Sequence, residues 1–418
     1  MRKDILIVGG GAAGLMAALF AARGGAKVTL LERNEKLGKK IYITGKGRCN
    51  LTNACEQEEF MRHILRNPRF LYASLAALDN MGLMSLMESL GLPLKTERGE
   101  RVFPASDKAS DVTSTLAREL ERLGVEVKLN ARVSRLLCEG GRARGVELEG
   151  GARLTADAVV LATGGLSYPS TGSTGDGLRM AEETGHALSA PLPALVPIET
   201  VETWPGALSG LSLRNVKLFA YVAGGKKERR IFAEQGEMLF THFGISGPLV
   251  LTLSSLLPED LSGVRLAIDL KPALDDGTLD ARMVRDLREL SRKQLITVMD
   301  GLAPHNLALT ILELAGLSPA LPANALTHEQ RATLRGLLKA LPLTPLKLRG
   351  FSEAIITRGG VSVRDVNPST MESKRLPGLY FAGEMLDLDA TTGGFNLQIA
   401  FSTGALAGKS AAKREAGA

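Results

Sequence analysis

The chain opens on a change of hydrophobic period. Asp4-Ile-Leu-Ile-Val8 is a continuous apolar run of strand length that stops at Gly9-Gly10-Gly11, and the small apolar residues from Ala12 to about Arg23 read as a helix. Lys27-Val-Thr-Leu-Leu31 supplies a second strand, followed by Glu32. Strand, Gly-x-Gly-x-x-Gly, helix, strand and acid in that order predict a β-α-β dinucleotide site. Gly9 permits the tight turn, Gly11 lets backbone approach a pyrophosphate, and Gly14 lets the helix pack closely on the sheet. The first N–H groups of the helix, at Ala12 and Ala13, then face the phosphates, and Glu32 accepts from a ribose hydroxyl.

Further along, residues 58–90 read as mainly helical, and 125–129 and 132–137 as strands of a small sheet. Ala158-Val-Val-Leu-Ala162-Thr163-Gly164-Gly165 is a buried strand entering a glycine turn. Pro191, Pro193 and Pro197 punctuate a linker, after which short strands at 216–222, 238–240 and 264–270 predict a β-rich module. Helical patterns follow at 283–299, 307–314 and 328–339. Beyond 349, Gly378-Leu-Tyr-Phe-Ala-Gly383-Glu384 repeats the strand-to-glycine pattern, and a helix of small residues runs to about Lys409. The predicted fold is α/β, a Rossmann-like domain built from 1–192 and 350–418. It is interrupted by an insert at 193–349, β-rich over 193–272 and helical over 273–349.

With 418 residues, 44% apolar and 23% charged, the chain has the composition of a two- or three-domain globular protein. No apolar run approaches membrane-spanning length and no signal peptide is evident, so a cytoplasmic location is expected. Cys49, Cys55 and Cys138 form no Cys-x-x-Cys pair, which argues against a disulfide framework, a zinc site and a dithiol reductase. Five scattered histidines offer no metal-ligand cluster.

The net charge of +6 favours anionic partners. Two cationic clusters stand out. Residues 32–50 hold six basic side chains (Arg33, Lys36, Lys39, Lys40, Lys46, Arg48) against two acids, and Lys226-Lys227-Glu228-Arg229-Arg230 is the second cluster. Arg33, Lys39, Lys40 and Arg48 read as anion binders, for a cofactor diphosphate or for substrate phosphate. Aromatic residues are only 4%, and no single-strand stacking motif of recognised type is present.

The C-terminal segment decides between nicotinamide and flavin. Instead of a separate catalytic domain, the chain returns with Gly383-Glu384 and then Gly394, Phe395, Asn396 and Leu397 at the start of a helix, an N-terminus suited to the edge of a reduced flavin. At this point Gly45-Lys-Gly-Arg48-Cys49-Asn50-Leu-Thr-Asn53, Ala162-Thr-Gly-Gly-Leu-Ser-Tyr-Pro, Leu239-Phe-Thr-His242-Phe-Gly-Ile-Ser-Gly-Pro248, Gly359-Gly-Val, Thr370-Met-Glu-Ser-Lys374 and Gly383-Glu-Met-Leu-Asp387 together resemble the BaiN/YhiN-type family of bacterial FAD proteins.

The resemblance implies a glutathione-reductase-type FAD domain with a β-barrel-like and helical insert. It implies that Glu32 binds the adenosine ribose and that the turns at Gly9, Gly11 and Gly14, at Ala162, Thr163 and Gly164, and at Gly383-Glu384 surround the cofactor. Gly394 to Leu397 would meet the flavin ring and Val133 the adenine. Members are associated with dihydrouridine formation in large-subunit ribosomal RNA, and others with steroid-like bile-acid intermediates. Only one dinucleotide fingerprint is present, so the electrons are expected from transiently bound NAD(P)H or from another donor.

Three functions follow: a reductase of uridine in ribosomal RNA, an oxidoreductase of an unsaturated steroid-like small molecule, and a noncatalytic flavin-dependent RNA-binding factor. Reduction of a C=C bond needs a proton donor on the substrate side. Cys49 is the first candidate, because the cations beside it in sequence would lower its pKa, with packing against the flavin as the alternative. His242 is the second, capping the flavin pocket or else satisfied within the insert. His63, His186, His305 and His328 have no comparable context, and Asp176 is left out of the catalytic set.

Overall fold

In the computed structural model residues 2–224 and 227–413 are described, so Lys226 of the second basic cluster lies outside them. They form two compact units, one of Met1–Ala194 with Gly350–Ala418 and the other of Leu195–Arg349.

The first unit is built on a five-stranded parallel sheet. Its order is Leu379–Phe381, Ala158–Leu161, Asp4–Val8, Lys27–Leu31 and Glu126–Lys128. The chain leaves Asp4–Val8 in one direction to Lys27–Leu31 and reaches Ala158–Leu161 on the other side, which opens a crevice at the carboxyl ends of these strands. The helix Ala12–Arg23 is buried on nearly every side, with Leu15, Met16, Ala17, Ala18 and Leu19 inaccessible to solvent. This explains its uniformly small and apolar composition. A Cβ on Gly404 or Gly408 of the long helix Phe395–Ala412 would come within 2.2 and 2.1 Å of the Ala13 and Ala17 carbonyl oxygens. Two glycines one turn apart thus set that helix directly on the backbone of the first.

Several expectations are corrected. The strand at 126–128 is the edge of the parallel sheet, whereas Val133–Glu139 begins a separate antiparallel sheet with Arg142–Leu148 and Arg153–Thr155. The predicted linker starts as a strand, Leu188–Ala194, antiparallel to Ile356–Val361, and a register shift between Ser189 and Leu192 accommodates Pro191. The helical stretch at 58–90 is broken. Among the described residues Pro68–Ser89 is long and apolar enough to cross a membrane by length and composition alone. However, Leu78 is extended (φ −159°, ψ 95°) and Asp79 caps a new helix by accepting from the Gly82 N–H at 2.6 Å. The resulting short helices bury Phe70, Leu71, Leu75, Leu83 and Met87 in the core of the unit.

The second unit holds a seven-stranded antiparallel sheet in the order Leu341–Leu343, Val264–Asp269, Ser212–Gly224, Lys227–Thr241, Gly244–Ser246, Ile198–Thr200 and Pro345–Leu348. Its two edge strands are separated in sequence by Thr344 alone, so the sheet curls back on itself in the manner of a barrel. One sheet face packs on helices that include Pro248–Leu256, Asp276–Glu289, His305–Leu314 and His328–Lys339, with Leu218, Leu253, Leu266, Ile311 and Leu334 fully buried. The helix expected at 283–299 is two, Asp276–Glu289 and Leu295–Asp300, because residues 290–294 leave the helical path.

Candidate cofactor-binding site

The crevice of the first unit is lined at its base by the turn after the first strand. Gly9 has φ +103°, and a Cβ there would lie 2.5 Å from the Ala162 carbonyl oxygen. Gly14 is tighter still, 1.8 Å from the Gly9 carbonyl oxygen, so both positions admit only glycine. Gly11 differs, since nothing lies within 4 Å of its would-be Cβ. Its bare backbone faces open space, so packing does not require a glycine there. Gly11 caps the helix Ala12–Arg23 without a side-chain bond, leaving the first-turn N–H groups directed into the crevice.

A second helix start reaches the same crevice. Gly394, with φ +102° and a Cβ position 2.3 Å from the Thr52 carbonyl oxygen, begins Phe395–Ala412 with no side-chain cap. Asn396 and Leu397 line the crevice. The Asn396 amide is fixed by donating to the Ala390 carbonyl at 2.8 Å and accepting from the Ala390 N–H at 2.9 Å. Phe395 lies beneath, buried against Phe60 and under the His63 ring at 4.1 Å. Val133, Ala162, Thr163, Gly164, Gly383 and Glu384 all line the same space.

Glu32 stands at the far end, nearly buried, its Oε2 accepting from the Gly10 N–H at 2.7 Å and its Oε1 from the Asn34 N–H and side-chain amide at 2.8 and 2.7 Å. These bonds aim the carboxylate across the opening. Glu384 sits in a tighter network. Lys40 Nζ reaches Glu384 Oε2 at 2.6 Å, while the Ser167 hydroxyl and the Thr357 N–H donate to Oε1 at 2.7 and 2.8 Å. Burial pushes the Glu384 carboxyl up, and Lys40, Ser167 and Thr357 outweigh it, so the group lies below the usual carboxylate range.

The cations read as anion binders are mostly committed elsewhere. Lys40 neutralises Glu384, and Lys39, on the crevice lining, pairs with Glu35 at 3.3 Å. Arg33 pairs with Asp176 at 3.1 Å and also bonds Thr174, while Arg132 grips both oxygens of Asp176 at 3.0 and 3.1 Å. Asp176 is therefore a latch that ties the turn at 172–176 to the crevice wall. Arg48 does not line the crevice. It stacks over Phe103 at 4.2 Å and pairs with Glu97, on the small sheet of Leu94–Glu97 and Arg101–Pro104, and with Asp107 just beyond it.

The expected lowering of the Cys49 thiol pKa is reversed. Cys49 is fully buried in the apolar core, and loss of solvation pushes its thiol up to about 12. The neighbouring Arg48 guanidinium points away to its acids, so adjacency in sequence brings no cation to the sulfur. His242 lies in the second unit, exposed at the turn between Lys227–Thr241 and Gly244–Ser246, its ring edge-on to Phe243 at 4.9 Å. Neither residue lines the crevice.

Sequence reasoning missed the roles of Asn34, Ser167 and Thr357, which orient the two glutamates; Ser167 lies within the turn that follows Ala162, whereas Asn34 and Thr357 belong to no motif. It also passed over His63, whose Nδ1 lies 2.8 Å from Thr391 Oγ1 beside the start of the second helix. Asp389 is buried next to this segment, 3.1 Å from Arg66, and desolvation pushes its carboxyl up to about 6. No signal of spacing marks either residue.

Residues 3–410 match the HI0933-like protein Rossmann domain, and the chain belongs to that family. It is 36% identical over 423 residues to the 3-dehydro-bile acid delta(4,6)-reductase of Clostridium scindens, covering 98% of both chains. It is 31% identical over 406 residues to the ribosomal RNA dihydrouridine synthase of Haemophilus influenzae, covering 96% of both. Among solved structures, the 3-ketosteroid-delta4-(5alpha)-dehydrogenase of Rhodococcus jostii RHA1 shares the fold at a TM-score of 0.54 and 17% identity, over 99% of this chain and 97% of that one. The residues of the crevice fit FAD: bare backbone at Gly11, two uncapped helix starts, and a fixed carboxylate at Glu32. The protein is an FAD-dependent oxidoreductase of the BaiN/YhiN type.

Proposed function

We propose, from membership of this family, that the chain reduces a carbon–carbon double bond conjugated to a carbonyl, and that its substrate is a uridine of large-subunit ribosomal RNA. The names of its two relatives describe related chemistry on different molecules, since the uracil C5=C6 bond and the double bonds of a 3-oxo steroid are both conjugated to a carbonyl. Reduced FAD supplies the hydride. The chain supplies the rest: Glu32 and the N–H groups after Gly11 bind, Asn396 and the helix start at Gly394 orient, and a side-chain acid delivers a proton to the carbon next to the carbonyl. Cys49, sealed in the core, is better suited to packing than to that delivery. His63 stands at the flavin-facing helix start, its ring stacked on Phe395 at 4.1 Å.

The observation that favours RNA is the distribution of charge. Cations around the crevice are neutralised, whereas Lys227, Arg229 and Arg230 on one strand of the second unit are exposed and make no ion pair among the described residues. Such unpaired cations are the footprint of a polyanionic partner. Mass spectrometry of 23S ribosomal RNA from a strain lacking the gene tests the substrate: loss of dihydrouridine, restored by the gene in trans, is the expected result, and an unchanged content overturns it.

A steroid-like substrate is the second reading, favoured by the 36% identity to the bile-acid enzyme. Turnover of 3-oxo-4,6-diene steroids by the reduced protein, with no change in ribosomal RNA of the deletion strain, would select it. Transient NAD(P)H is proposed as the electron source, and stopped-flow bleaching of the flavin by NADH and NADPH in turn checks that choice.

A further inference from the structure

The strand Ser212–Gly224 turns a second, half-buried face away from the core of the unit. Leu218 and Ala220 point into the core of the unit, so Lys217, Phe219 and Tyr221 on the same strand point outward. Register places Ala233 and Ala267 on either side of Phe219, with Pro342 beyond Ala267. Arg230 and Arg265 flank Tyr221 in the next row. The two rings lie 6.3 Å apart and nearly parallel at 21°. Lys217 Nζ lies 5.4 Å from the Phe219 ring centre, and the Arg265 guanidinium lies 4.6 Å from that of Tyr221.

Two acids near this face are already spent, Glu228 on Arg265 at 2.7 Å and Asp269 on Lys339 at 2.6 Å. What remains is a half-buried aromatic pair among small side chains, bordered by Lys217 and Arg230. An apolar partner would leave those cations unpaired, and a duplex would offer phosphates but no base face for the rings. An unpaired polynucleotide satisfies both, because its bases stack on aromatic or guanidinium planes while its backbone meets the cations.

We propose that this outward sheet face is a docking platform for an unpaired stretch of RNA, held by stacking on Phe219 and Tyr221 and by phosphate contacts to Lys217 and Arg230. It rests on the reading of RNA as substrate and gives that substrate a place of attachment in the second unit.

Fluorescence anisotropy of the FAD-loaded full chain tests it, using a labelled 20-nucleotide uridine-rich RNA, single-stranded and annealed to its complement. The single strand should bind more tightly than the duplex. Phe219→Ala and Tyr221→Ala should each weaken it on the order of ten-fold, Tyr221→Phe should keep it, and Arg230→Gln should lower the slope of log affinity against log salt by about 0.7. Trp204, the one tryptophan, packs on Phe240 in the same unit at 5.6 Å, so its emission reports whether a variant is folded. The Lys217→Gln/Arg230→Gln pair leaves all apolar contacts in place and must also weaken binding. Wild-type affinity in the double ring variant overturns the proposal, as does a loss of self-association in sedimentation without a loss of RNA binding, which would assign the face to a second copy of the chain. If the deletion strain lacks dihydrouridine and the double ring variant restores it fully, the platform is wrong and the substrate reading stands. If the deletion leaves dihydrouridine unchanged while RNA binding depends on the two rings, the platform stands and the substrate reading falls.

Discussion

The cofactor crevice and the outward sheet face carry similar numbers of cations and use them in opposite ways. Around the crevice Arg33, Lys39 and Lys40 are bound to Asp176, Glu35 and Glu384. On the sheet Lys217 and Arg230 have no carboxylate partner among the described residues, and Glu228 and Asp269 beside them are taken by other partners. Basic side chains of the same kind thus mark a rigid wall in one place and, on our proposal, a binding surface in another. What separates them is pairing, which a count of charges does not contain.

The sharpest way to break this contrast is to change what builds the wall without touching charge. Gly14→Val should abolish the folded first unit, because its side chain would enter the Gly9 carbonyl, a clash worth at least about 4 kcal/mol. Gly11→Val should leave the fold intact and lose FAD, since the space it fills is open. Circular dichroism and flavin absorbance of the two variants, side by side, distinguish packing glycine from ligand glycine. Equal folding and equal flavin retention in both would show the turn to be misread.

Removing the wall's central pair comes next. Lys40→Met leaves the Glu384 carboxylate without its cation and should destabilise by about 3–5 kcal/mol, whereas Lys40→Met/Glu384→Gln should recover part of that loss. Thermal unfolding followed in parallel checks both, and full additivity of the two single changes would mean they do not act as a pair. Glu32→Ala should cost FAD about 1.5–3 kcal/mol of affinity through the lost ribose bond, read by equilibrium dialysis. Unchanged affinity would return Glu32 to a purely structural role for Gly10 and Asn34.

The smallest effect concerns proton linkage. The Asp389 carboxyl is raised to about 6 in the folded chain from an ordinary value of 3.8. Protonated Asp389 therefore favours the folded state below pH 3.8, and this contribution is lost as pH rises through about 6. Asp389→Asn should unfold with a weaker pH dependence than wild type between pH 4 and about 7, the slope differing by no more than about 1.4 kcal/mol per pH unit. Superimposable pH profiles would place the shift elsewhere. A companion measurement on Cys49→Ala should show flavin reoxidation by substrate close to wild type, and a hundred-fold slowing would restore it as the proton donor.

The parts of the crevice legible in the sequence are those fixed by local geometry. Gly9, Gly14 and Gly394 each answer a backbone contact that no other residue tolerates, so their spacing carries the site. Glu384 was readable for the same reason, standing directly after a strand and a glycine. Its partners were not. Lys40 lies 344 residues away, and Ser167 and Thr357 come from two further segments, so only the folded chain brings the four together. Cys49 fails in the other direction: Lys46 and Arg48 are neighbours in sequence, but a left-handed backbone at Cys49 (φ +59°) turns its sulfur into the core while Arg48 turns out to Phe103. The strand at 126–128 shows the matching limit for sheets, since its apolar pattern fits an edge of the parallel sheet as well as a small antiparallel one.

The second unit leaves the first after Ala194 and re-enters beside it, where Ala194 pairs with Ile356. During synthesis this ordering has a temporal meaning. Residues 195–349 emerge and can collapse around their own core while the parallel sheet still lacks Leu379–Phe381, and while the nascent crevice still lacks Glu384 and the helix start at Gly394. The N-terminal fingerprint is thus made first and completed last. A crevice that needs Glu384 and the helix start at Gly394 cannot be complete before those segments have been made.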